Sequence, residues 1–170
     1  MASASEPALV DDFKAAMRQL AATVTLVTTC EDGETHGMTA TAVSSLSADP
    51  PSVLVCINRA ARMHGPTERS RHFCLNLLAA GQDDLCASFS VRKGADRFAV
   101  GEWRVGPHGL PYLVGAAATL FCRVDEALHY GTDTIFIGRL EQVSVDHTAN
   151  PLVYLDGAMG KFVAFGPDRS

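Results

Sequence analysis

The stretch His36–Asn58, HGMTATAVSSLSADPPSVLVCIN, decides the reading of this chain. Its first half is small and hydroxylated: Thr39, Thr41, Ser44, Ser45 and Ser47 alternate loosely with Ala40, Ala42, Val43 and Leu46. Asp49-Pro50-Pro51 interrupts it, because proline withholds the N–H that a strand interior needs. Ser52–Ile57 is then a nearly continuous apolar run of strand length. A strand edge made of hydroxyls and short side chains lets a large flat ligand approach the main chain closely, so the stretch is predicted to be a binding ledge within a sheet. The same residues also suit an ordinary half-exposed strand, and the stretch alone does not separate the two.

The residues on either side extend the β pattern. Thr23–Thr29 alternates Val and Leu with Thr, and Glu31-Asp32-Gly33 supplies a hairpin turn back to a strand at Met38–Leu46. Further strands are predicted at Phe73–Leu78, Ala117–Val124, Thr134–Val145, Leu152–Leu155 and Phe162–Phe165. Val10–Ala22 reads as a helix, with Phe13, Met17 and Leu20 at helical spacing and Asp11 and Asp12 in its first turn. Two short helices are expected near Arg62–Arg71, weakened by Gly65-Pro66, and from Gln82 to Ser90. Gly94–Tyr112 is rich in glycine and proline and reads as loop. Roughly seven short strands without regular strand–helix alternation favour a mainly β, antiparallel Greek-key-like barrel over a doubly wound parallel sheet.

Bulk properties narrow the function classes. A chain of 170 residues is expected to form one domain across residues 1–170, with a core over about 13–162 and tails at 1–9 and 166–170. A net charge of −5 argues against a nucleic-acid partner, which needs a cationic face. No apolar run approaches a membrane span, and Met1–Pro7 lacks the pattern of a signal peptide, so no membrane association and a cytoplasmic location are expected. The five cysteines include no C-x-x-C pair and sit in apolar runs at Cys56, Cys74 and Cys122, which suits reduced, buried thiols. The six histidines show no metal-ligand spacing, so no metal site is predicted.

The chemistry-bearing motifs are few. No G-x-G-x-x-G, P-loop or G-x-S-x-G pattern occurs, so a nucleotide would not be held in the Rossmann manner and no nucleophile elbow exists. Arg59, Arg62, Arg69 and Arg71 form a local cationic cluster opposed only by Glu68, suited to an anion such as phosphate. Arg69 and Arg71 read better as a solvated helix face, and Arg59 and Arg62 as the pair nearer the ledge. Gly131-Thr132-Asp133 is a turn entering an apolar strand, where Asp133 either faces a pocket or serves the turn itself. Tyr154 precedes a tight turn and either stacks on a ligand or sits in the core.

Taken in order, the HGMTATAVSSLS–DPPSVLVCIN block, the FCLNLL strand, the GTDTIFIGRLEQV block and the PLVYLDG ending resemble the short-chain flavin reductases, the small partners of two-component flavin-dependent monooxygenases. The resemblance runs from about Phe13 to Phe162. It implies a homodimeric split β-barrel that binds FMN or FAD, oxidises NADH or NADPH, and passes reduced flavin to a separate oxygenase. By the same resemblance, Thr39, Ala40, Thr41 and Ala42 match the strand that meets the flavin ring. Ser45 and Leu46 match its continuation, with Cys56 and Ile57 beside it. Ala60, Ala61, Arg62 and Met63 match the loop around the ribityl phosphate, and Phe89 an aromatic lining the flavin site. His36, Asp133 and Tyr154 are implied at the nicotinamide. No catalytic side chain is implied, because hydride passes between two cofactors.

One position departs from the pattern. Many members carry histidine in the turn where this chain has Asp133, and aspartate offers an acceptor in place of a donor. That exchange keeps open two other readings: a flavin-binding carrier or sensor without reductase activity, and a split-barrel FMN oxidase.

Overall fold

The computed structural model describes residues 6–92 and 94–166. Helix α1 (Glu6–Arg18) leads into β1 (Ala22–Thr23), β2 (Thr25–Glu31), β3 (Glu34–Ala40), β4 (Val43–Ala48) and β5 (Pro51–Asn58). After α2 (His64–Ser70), β6 (His72–Leu77) and α3 (Asp83–Val91) come the short strands β7 (Trp103–Val105) and β8 (Pro111–Leu113). The long hairpin β9 (Ala118–Tyr130) and β10 (Asp133–Val145) follows, and β11 (Leu152–Leu155) with β12 (Ala158–Lys161) ends the order.

Seven strands form one antiparallel sheet in the order β3-β2-β6-β9-β10-β5-β4. Its two edges, β3 and β4, are consecutive in the chain and separated only by Thr41 and Ala42. A flat sheet of that width would hold its edges roughly 29 Å apart, whereas the chain from Ala40 to Val43 reaches at most about 11 Å. The sheet must therefore curl until the end of β3 and the start of β4 come within that reach, and they do so at the ledge. Inside the curl, Val27, Val53, Val55, Ile57, Phe73, Leu75, Cys122, Val124 and Phe136 form the main core. Gly138 belongs there because a Cβ would run into the Phe73 ring.

β2 serves two cores by its alternation. Val27 points into the curl, while Leu26 packs outward with Val24, Leu78, Leu85, Cys86, Phe89, Leu113 and Leu152 under α3. Asn76, fully buried in β6, ties these layers: its Nδ2 donates to the Leu26 carbonyl at 3.1 Å and its Oδ1 accepts from the Leu113 N–H at 2.8 Å.

Several sequence expectations change here. The predicted strand Met38–Leu46 is two strands with a break at Thr41-Ala42. The predicted strand Phe162–Phe165 is absent; the closing strand is β12, paired with β11 across Asp156-Gly157, whose φ values of 47° and 84° suit a two-residue hairpin. The Asp32-Gly33 hairpin is formed as expected, with φ of 50° and 82°. Pro66 does not prevent α2, because it lies in the first turn, where helical N–H groups have no intrahelical acceptor. The loop-rich segment contains the β7–β8 hairpin. α1 begins at Glu6, inside the expected N-terminal tail, and ends at Arg18, short of the expected Ala22; Phe13 and Met17 on its face, and Leu20 beyond its end, are 61%, 48% and 65% exposed. Residues 1–5 and 167–170 of the expected tails lie outside the described residues. No described helix is long and apolar enough to cross a membrane.

Candidate functional site

The ledge is built from the end of β3 and the break that follows. Thr39, Ala40 and Thr41 line a cleft of about 340 Å³ together with Val24, Cys86, Ser90, Tyr154 and Met159. Thr41 also borders a larger, more apolar groove of about 570 Å³, with Val43, Ser44 and Ser45 on one side and Leu20, Leu75, Leu77 and Leu120 on the other. The main-chain N–H of Cys56 donates to the Ala42 carbonyl at 3.0 Å, so the break is held against β5. Ser45 and Leu46 lie exposed on β4, whereas Ile57 is fully buried in the main core.

The Arg59–Met63 loop is shaped by Asn58. Its Oδ1 accepts the Ala60 N–H at 2.9 Å, and its carbonyl accepts the Ala61 N–H at 2.9 Å. Met63 plugs into the main core, anchoring a loop that leaves Arg59, Ala60 and Arg62 exposed. The Arg59 N–H donates to the Thr132 carbonyl at 2.9 Å, which joins this loop to the β9–β10 turn. Arg62 and His36 meet in a small cleft of about 130 Å³ that also includes Arg97. Arg69 and Arg71 are structural: Arg69 makes a two-pronged ion pair with Glu31, and Arg71 donates to the carbonyls of Val124 and Asp125.

Asp133 opens β10 opposite Asn58, half-buried, and accepts a hydrogen bond from the Thr132 hydroxyl at 2.6 Å. It lies near enough to Cys56 to act on it: burial first, and then the Asp133 charge, push that thiol up from the usual range. The three residues expected at the nicotinamide are spread out: Tyr154 lies in the ledge cleft, His36 beside Arg62, and Asp133 at the start of β10 opposite Asn58.

Phe89 is buried in the second core, behind β3. Its ring lies so close to Gly37 that a Cβ there would sit 2.6 Å from Cε1, so Phe89 supports the ledge from the rear. Sequence reasoning missed Val24, Cys86, Ser90 and Met159 in the ledge cleft and Arg97 beside His36. Cys86 and Ser90 carried a usable signal, since i and i+4 on one helix share a face. Arg97 carried none; it comes from a 3-10 turn and donates to the Gly37 carbonyl.

Fold and site together define a curled antiparallel β-sheet protein whose candidate ligand surface is main chain and small hydroxyl side chains. The flavin reductase like domain family matches residues 17–162. The reductase component of an FADH(2)-dependent resorcinol hydroxylase from Rhizobium sp. is 40% identical over 84% of this chain and 82% of its own length. An FMN reductase (NADH) from Stutzerimonas stutzeri is 36% identical over 88% of this chain and 87% of its own. The solved structure of a Streptomyces globisporus NADH:FAD oxidoreductase in complex with NAD and FAD fragments superposes with a TM-score of 0.85, at 28% identity over 99% of this chain and all of the other. The chain belongs to the flavin reductase like family.

Proposed function

We propose that this chain is an NAD(P)H:flavin oxidoreductase that moves hydride from NADH or NADPH to FMN or FAD and supplies the reduced flavin to a separate monooxygenase component. The observation that carries the reading is the Thr39–Thr41 cleft, formed at the seam of the curled sheet in a chain of this family. Its relatives include a reductase component serving a hydroxylase and an FMN reductase using NADH.

The residues fit a flavin. A cleft of about 340 Å³ falls in the range of cofactor sites, with threonine hydroxyls and main chain on one wall and Val24 and Met159 as apolar surface. Bound flavin would supply the hydride acceptor. In this reading the main chain at Thr39–Ala42 holds the ring edge and stabilises negative charge on it, as preorganised N–H groups do. Ser45 and Leu46 continue that wall, and Arg62, with Ala60, Ala61 and Met63 setting its loop, serves the phosphate. Tyr154 offers a ring face across the cleft, and His36 and Asp133 border the nicotinamide. No acid–base dyad is needed, because the protein's task is to orient two cofactors and exclude water.

The same reading makes the sheet one half of a split-barrel homodimer. The support is the apolar groove beside the ledge and the exposed apolar face of α1, which includes Leu9, Val10, Phe13 and Met17. A contiguous apolar surface of that kind marks an interaction site.

The test mixes purified protein with NADH or NADPH and excess FMN or FAD while nicotinamide absorbance is followed. Oxidation above the free-flavin background is expected with at least one pair. No oxidation with any of the four pairs would overturn the reductase assignment, and a yellow, nicotinamide-inert protein after gel filtration would point to a carrier or an oxidase.

A further inference from the structure

On the far side of the β9–β10 turn, two histidines and a glutamate from separate parts of the chain come together. His64 and Glu68 stand at i and i+4 on one face of α2, and His129 comes from the end of β9. One ring nitrogen of each histidine and a Glu68 carboxylate oxygen all lie within 4.8 Å of one another. We infer that these three side chains form a binding site for a divalent transition-metal ion of the zinc type, placed to clamp α2 onto the β9–β10 turn.

Three observations carry this. First, His129 Nε2 lies 3.6 Å from Glu68 Oε1. That is too long for a hydrogen bond, but two ligand atoms on one tetrahedral zinc ion stand about 3.4 Å apart. Second, the rings are pre-oriented. The fully buried hydroxyl of Thr134 meets His64 Nε2 at 2.7 Å and His129 Nδ1 at 2.8 Å. A hydroxyl oxygen accepts two hydrogen bonds, so it can take an N–H from each ring; for His129 that leaves Nε2, the nitrogen facing Glu68, unprotonated. Metal-binding histidines are normally held in this way from behind. Third, His64 is 8% exposed, yet it opens with Glu68 onto a cleft of about 670 Å³. With two of the three protein ligands on that cleft, the fourth position is open to solvent or a small ligand.

The other His/Glu cluster, His72, His108 and Glu141, does not share these features. Its imidazoles stack at 3.8 Å and 20°, so their in-plane lone pairs run side by side and do not converge. His108 Nε2 also already contacts Glu141 at 3.0 Å.

The test is calorimetric titration of zinc chloride into the full-length, metal-stripped chain, in a non-thiol reductant and without flavin. One ion per chain is expected, with His129→Ala and Glu68→Ala each weakening binding at least tenfold while circular dichroism stays unchanged. Both side chains are partly exposed, so neither substitution should unfold the protein. Thr134→Val should weaken binding about 10- to 100-fold through the orienting shell. Absence of saturable binding, or unchanged binding in both alanine variants, would overturn the site. So would a cobalt spectrum with thiolate charge transfer, which would put the ion on cysteines. None of these readouts depends on reductase activity.

Discussion

The Cys56 amide donates to the Ala42 carbonyl at 3.0 Å, and this bond carries the β4–β5 ladder one residue into the break between the two edge strands. β3 and β4 bound opposite ends of the seven-strand order, and the bond lies where the chain passes from one edge to the other. The position of the ledge is thereby set by β5, which is buried, and not by the exposed residues that would meet a ligand. A binding surface made of main chain gains its precision this way: the strand behind it is fixed by core packing.

The same neighbourhood predicts a pattern of thiol reactivity. Cys122 is pushed up to about 12, mainly by burial, and burial pushes Cys74 higher still, so neither should alkylate at pH 8 while the protein is folded. Cys56 is also raised, first by burial and then by Asp133. Asp133→Asn removes the negative charge that opposes the thiolate, so the Cys56 pKa falls and labelling at fixed pH accelerates. Mass-resolved alkylation time courses check this, and an unchanged Cys56 rate would show that the Asp133 charge does not reach it.

Much of this was legible in the sequence because local chemistry dictated it. Asp32-Gly33 demands positive φ, and Val53–Ile57 has no hydroxyl or charged residue to expose. The break at Thr41-Ala42 was not legible, since Met38–Leu46 contains no glycine or proline and the break arises from sheet closure. Phe162–Phe165 has strand-forming residues but follows a hairpin whose length is set by Asp156-Gly157, which places the strand earlier. The amphipathic face of α1 could be read, but not what covers it. His64, His129 and Thr134 have no motif spacing at all; only the fold brings them together.

Gly37 is a packing glycine, and replacing it tests the support behind the ledge. A Cβ at this position would sit 2.6 Å from Phe89 Cε1 and 3.3 Å from both Phe98 Cζ and the Val27 carbonyl oxygen. Phe89 cannot simply retreat, with the rings of Phe98 and Trp103 at 5.3 and 5.7 Å. Gly37→Ala should destabilise the fold by about 1–3 kcal/mol, the usual cost of overpacking. Thermal unfolding measures it, and an unchanged midpoint would mean that the Phe89 ring is free to move.

Asn76 supplies a second stability test. Its side chain satisfies the Leu26 carbonyl and the Leu113 N–H with no exposure to water. Asn76→Leu keeps similar bulk but leaves the Leu113 N–H buried without that acceptor. The expected cost is about 2 kcal/mol, read as a fall in Tm of about 4–8 °C. A smaller shift would show that water reaches the amide.

Asp133 tests the reductase reading at the turn where the family resemblance implies a histidine. Its carboxylate is an acceptor that already takes the Thr132 hydroxyl, and its negative charge opposes the approach of a nucleotide pyrophosphate. Asp133→His restores a ring N–H donor and removes that charge, so the apparent KM for reduced nicotinamide should fall several-fold with flavin affinity unchanged. Asp133→Asn removes the charge without supplying the ring, and should recover part of the gain. Equal KM and equal kcat in all three proteins would place Asp133 outside the nicotinamide site. A fall in kcat with KM constant would instead show that the carboxylate orients the nicotinamide once it is bound, because an interaction made only in the transition state appears in kcat.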